Sequence, residues 1–160
     1  MLHNKMKSGS DDPSGPKTEL TYSRLRLKQA REAAGKKPKD LGKFVGGSAN
    51  YHDLENCDGD LYSSIRLGDL SALCSDLGIK VHDLFGGLTG DSPMISPEQL
   101  MWKVNDYLRE KGMSIAEFEK CIGFEIEPSL KDSAKVMDWS VDFLRWFCRE
   151  MGLDWRLALP

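Results

Sequence analysis

The sequence predicts an all-α protein, and three observations carry that prediction. Leu70, Leu73, Cys74 and Leu77 stand at i, i+3, i+4 and i+7, the spacing of one buried helix face. Ser96-Pro97-Glu98-Gln99 and Ser114-Ile115-Ala116-Glu117 carry the N-cap and capping-box residues that open helices. Gly35, Gly78, Gly112 and Gly123 then stand where the periodic stretches stop, the place where a helix C-terminus turns with positive φ.

The elements follow in order. Residues 1–18 are rich in Ser, Gly, Pro, Asp and Lys and are expected to form a mobile arm. A first helix carries Tyr22, Leu25, Ala30, Ala33 and Ala34 as its apolar stripe and ends at Gly35. Pro38 opens a second helix, because a proline in the first turn sacrifices no hydrogen bond. That helix runs through Leu41, Phe44 and Val45 to Gly46-Gly47. Ser48 is expected to N-cap a third helix with Tyr51 and Leu54 facing inward. After a polar stretch comes the Leu70 to Leu77 face, and then Val81, Leu84 and Phe85 as a short last helix or turn. Residues 87–96 read as a linker. Beyond it, Met101, Val104, Tyr107 and Leu108 form one stripe, and Phe118, Cys121 and Ile122 a second. Leu144, Phe147, Cys148 and Met151 form a third, before Leu153, Trp155 and Leu159.

The two halves overlay. KDLGKFVG (39–46) falls on AEFEKCIG (116–123), and LCSDLGI (73–79) on FCREMGL (147–153). The offset is 77 residues at Gly35 and Gly112 and 74 at Cys74 and Cys148. Apolar and glycine positions at a nearly constant offset are what a duplicated helical unit leaves. The domains are therefore 19–86 and 97–160. Each is small for independent stability. The two are expected to pack on each other through Trp102, Trp139, Trp146 and Trp155, all in the second copy.

Composition fits this picture. The chain has 160 residues, 40% hydrophobic and 29% charged, with 22 basic and 25 acidic side chains, the profile of an ordinary globular protein. No apolar run approaches the ~20 residues of a membrane span, and the N-terminus lacks the apolar core of a secretory signal. The four cysteines form no CxxC pair. This favours reduced thiols in a cytoplasmic protein over a disulfide scaffold or zinc site. The net charge of −3 hides a split, +6 over residues 1–46 and −9 over the rest. A basic end can touch phosphate locally in a protein that is acidic overall.

Helix, glycine, short helix, turn, third helix and buried fourth helix is the order of a helix-turn-helix domain. The run LRLKQAREAAGKKPKDLGKFVGGSANYHDLEN, followed by LGDLSALCSDLGIKVHDLF, resembles the lambda-repressor-like (XRE) helix-turn-helix family over residues 20–86. The second half resembles it through REKGMSIAEFEKCIG and MGLDWRLAL. The resemblance implies a tandem pair of such bundles. It places the Pro38 to Val45 helix across the DNA backbone and the Ser48 to Asn56 helix in the major groove. Ser48, Ala49, Asn50, His52 and Asp53 would face base edges, and Arg24, Arg26, Lys28, Lys36, Lys37, Lys39 and Lys43 would approach phosphates. Asn50 can pair with adenine through both amide atoms. His52 stands as either a DNA contact or a solvent-exposed side chain.

The sequence departs from the family pattern at three places. Pro38 replaces a phosphate-binding Gln, Gly42 replaces an Ala, and Asp53 puts an acid toward the groove. In the second copy, Glu125, Glu127 and the helix breaker Pro128 stand where the reading helix would be, so that copy is expected not to read DNA.

Other motifs point nowhere else. His3 and His82 have no metal-ligand spacing, Cys74 and Cys148 read as core residues, and Asp58-Gly59-Asp60 lacks the remaining ligands of a calcium loop. No phosphate-cradling glycine loop or hydrolase pattern is present, so the chain is expected to be no enzyme and to need no cofactor or metal. Two functions compete. The first is a cytoplasmic transcriptional regulator that binds double-stranded DNA through the first copy as a homodimer. The second is an antitoxin-like or immunity-like interaction module that uses residues 97–160 to bind a protein partner.

Overall fold

The computed structural model describes residues 18–88 and 90–160, and among them every regular element is a helix. Helix α1 spans Glu19–Ala33, α2 Pro38–Leu41, α3 Ser48–Asn56, α4 Asp60–Ser63, α5 Leu67–Leu77 and α6 Val81–Leu84. A 3-10 turn at Gly42–Phe44 follows α2. The second half holds α7 (Pro97–Lys111), α8 (Ile115–Ile122), α9 (Glu127–Lys131) and α10 (Val141–Glu150). Two further 3-10 segments lie at Ser133–Asp138 and Trp155–Ala158. No helix among the described residues is long and apolar enough to cross a membrane.

The expected arm lies outside the described residues except for Thr18, whose hydroxyl accepts from the Thr21 N–H and caps α1. The face that α1 buries differs from the expected stripe. Ser23 and Leu27 point inward, while Tyr22 is 46% exposed and Ala33 and Ala34 are exposed. Ser23 can sit inside because its hydroxyl donates to the Glu19 carbonyl at 2.9 Å and pairs with the Tyr62 hydroxyl at 2.8 Å. Ser48 is not the cap of α3. Gly47 holds that position at φ 149° with no side-chain bond, and Ser48 is the first helical residue. The polar stretch before α5 hides the one-turn helix α4, which buries Leu61 and Tyr62. Pro128 is the second residue of α9 and does not break a helix, since a proline in the first turn removes no needed donor. Cys121 is exposed, so the apolar face of α8 is Phe118 with the half-buried Ile115 and Ile122.

One cluster of buried residues runs through both halves, from Leu27 and Leu41 to Phe147 and Leu159. Among its described residues the 87–96 segment carries no helix, and it is tied down where Ile95 N–H donates to the Leu157 carbonyl at 2.7 Å. Trp139 and Trp155 join the halves. The Trp139 carbonyl accepts from Leu67 N–H at 2.8 Å, and the Trp155 ring lies 5.3 Å from Phe85 and 6.5 Å from Tyr62. Trp146 instead packs beside Phe143 within the second half. Trp102 is 67% exposed and stacks on no ring of the first half among the described residues.

Candidate nucleic-acid interface

The α2–turn–α3 unit is built around a close approach. Gly47 N–H donates to the Gly42 carbonyl at 2.9 Å, which folds the turn back on α2. A Cβ on Gly42 would stand 2.6 Å from the Ser48 nitrogen and 2.7 Å from the Gly47 carbonyl carbon, so backbone meets backbone there. The glycine that departs from the family pattern is thus required by the packing of the turn. Gly46 at φ 77° supplies the left-handed step that a β-carbon resists.

Helix α3 turns Tyr51, Leu54 and Glu55 into the protein. Ser48, Ala49, Asn50, His52 and Asp53 are all exposed on its outer side. Asn50 donates from Nδ2 to the Val45 carbonyl at 2.8 Å, which leaves its Oδ1 and one N–H facing solvent. His52 Nδ1 lies 3.8 Å from Asp53 Oδ1. No side chain caps the first turn of α3.

The position of α3 is set by a buried charge network. Arg31 of α1 grips Glu55 with two bonds, Nε to Oε1 at 2.6 Å and Nη2 to Oε2 at 3.0 Å. Tyr51 donates its hydroxyl to the same Oε1 at 2.9 Å. Burial pushes the Tyr51 phenol well above its usual range, so it stays a donor. Arg31 Nη1 also donates to the Lys36 carbonyl, which ties the loop before α2 into the same network. Nothing in local spacing marks Arg31, because its partner lies 24 residues away in sequence.

The seven expected phosphate contacts divide into two groups. Arg24 pairs with Asp58 and donates to the Glu55 carbonyl at 3.2 Å. Arg26 pairs with Glu19 at 3.0 Å and donates to the Leu84 carbonyl at 3.0 Å. Lys36 pairs with Asp76. These three are occupied holding the fold. Arg24 holds the Asp58 carboxyl, and Lys36 the Asp76 carboxyl, below the ordinary carboxylate range. Lys43 is largely exposed and reaches Asp76 only at 3.7 Å. Lys28, Lys37 and Lys39 are exposed and form no ion pair among the described residues.

The second half treats the corresponding place differently. Glu119 Oε1 accepts from the Ile126 and Glu127 N–H groups at 2.7 and 2.8 Å, so a carboxylate of the chain closes the start of α9. Glu125 and Glu127 are exposed beside it. No His, Cys, Asp or Glu cluster among the described residues has the geometry to hold a metal ion. In comparisons with known proteins, no family model, no curated protein and no solved structure matches this chain.

Proposed function

We propose that the chain is a DNA-binding transcriptional regulator, a tandem pair of lambda-repressor-like helix-turn-helix bundles of which the first reads duplex DNA. The observation that carries this reading is the outer face of α3. Five exposed side chains and an uncapped first turn stand there, with the largely unoccupied Lys28, Lys37, Lys39 and Lys43 on the same half of the protein. The lysines would position the protein on phosphates, and Ser48, Ala49, Asn50, His52 and Asp53 would meet base edges. Asp53 can accept from a cytosine amino group. The acidic second half packs against the first and contributes no reading helix.

The test is fluorescence anisotropy with genomic duplex fragments at two salt concentrations. Four phosphate contacts give a slope of about −3.6 in log affinity against log salt, or roughly a 150-fold loss between about 50 and 200 mM. The Lys39→Glu, Lys43→Glu double variant should halve that slope. Absence of binding at low salt refutes the reading. A protein-interaction module remains the second reading because Trp102 is 67% exposed beside Met94, itself 41% exposed. If that reading holds, Trp102→Ala abolishes stoichiometric capture of a host protein and leaves DNA binding as it was.

A further inference from the structure

The contacts between the halves are related to one another by a fixed offset. Helix α4 packs on α10, and α5 packs on the 3-10 segment Ser133–Asp138. Moving α4 by 74 residues gives 134–137, inside that segment, and moving α5 by 74 gives 141–151, which is α10 with one residue added. Helix α6 moved by 74 gives the bounds of the Trp155–Ala158 segment. The first contact is therefore the second with the halves exchanged. Patch i on patch j, with j on i, is the mark of an isologous two-fold interface.

The centre of the junction obeys the same rule. Arg66 and Ser140 form an antiparallel bridge, and they are the N-cap residues of α5 and α10, again 74 apart. A position paired with its own equivalent lies on a two-fold axis. Around the bridge the equivalent pairs Ile65 with Trp139 and Leu67 with Val141 are all buried. A Cβ on Gly68 would stand 3.4 Å from the Met137 carbonyl, so α5 approaches the second half closely. Arg145 lies over the Tyr62 ring at 4.8 Å and closes one flank.

We propose that the second half occupies, within one chain, the face on which another copy of the first half would pair. The protein is then a fused pseudo-dimer with a single reading head. It takes one asymmetric half-site of duplex DNA as a monomer and has no need of a palindrome. The homodimer that one small reading helix calls for is supplied by the chain itself, with the counterpart of that helix shortened to α9 and its start closed by Glu119. The DNA arm of this proposal rests on the function proposed above.

The experiment is sedimentation velocity of the full chain, alone over a wide concentration range and on the duplex it selects from a random pool. The expected results are one monomeric species, a one-to-one complex, and selected sequences that share a single motif without an inverted repeat. A dimer in solution, two chains on one duplex, or an enriched inverted repeat overturns the proposal. A monomer that selects no DNA refutes the reading function and supports the internal pairing. A dimer that selects DNA does the reverse.

Discussion

Replacing Glu55 with alanine tests what holds helix α3 in place. The Glu55 side chain is 4% exposed and accepts two bonds from Arg31 and one from Tyr51. Its removal leaves a guanidinium that is 11% exposed and a buried phenol without their acceptor. Breaking a buried ion pair on one side costs about 3 to 5 kcal/mol, because the abandoned charge stays desolvated. Arg31 keeps its bond to the Lys36 carbonyl, so the lower end, about 3 kcal/mol, applies. Glu55→Gln keeps an acceptor for Tyr51 and loses the charge, and should cost about 1.5 kcal/mol. Urea denaturation followed by circular dichroism reads both as shifts in midpoint at constant slope. If α3 reads DNA as proposed, affinity for the duplex should fall with Glu55→Ala even at temperatures where the variant is folded, because α3 loses its anchor to α1. If Glu55→Ala costs under about 1 kcal/mol, the pair does not hold α3 and the account of the site fails.

Three other outcomes are expected. Gly42→Ala should destabilise by about 1 to 3 kcal/mol despite the better helix former, because the new methyl meets the Gly47 and Ser48 backbone. A stabilised variant in the same denaturation assay would contradict that geometry. The Asp58 and Asp76 carboxyls titrate below their unfolded value. Their modest contribution is present above about pH 4 and is lost as pH falls through the folded values. Asp58→Asn and Asp76→Asn should flatten the acid limb of stability against pH, and an unchanged limb would count against these pairs. Burial pushes the Cys74 and Cys148 thiols up to about 12, whereas Cys57 and Cys121 are exposed. A thiol reagent should therefore label two cysteines in the native protein and the other two only on unfolding. Fast labelling of all four would mean that the core opens.

Much of the helix order is legible in the sequence because its signals are local. The Leu70 to Leu77 stripe, the Ser96 and Ser114 capping boxes and the glycines at the ends of α5, α7 and α8 each act within a few residues. The repeat offset is legible for the same reason. Interactions between distant residues are not. Ser23 is a polar residue on a buried face, and its pairing with Tyr62, 39 residues later, has no local signal, although its bond to the Glu19 carbonyl is local. Helix α4 is too short for a period to show, yet it supplies Tyr62 to the junction of the halves. At the candidate interface, sequence marks which lysines and arginines are near α2 and α3. It cannot tell that Asp58, Glu19 and Asp76 have already claimed Arg24, Arg26 and Lys36. Pro128 misleads because the same proline that breaks a helix interior is welcome in a first turn.

On the proposed function, the outer face of α3 meets DNA and the second half does not. Amide chemical-shift mapping of the full chain during titration with a selected duplex tests it most directly. Shifts are expected on residues 48–53 and around Lys28, Lys37, Lys39 and Lys43, with residues 119–131 and Trp102 unmoved. Shifts centred on the second half, or none at low salt, would contradict it.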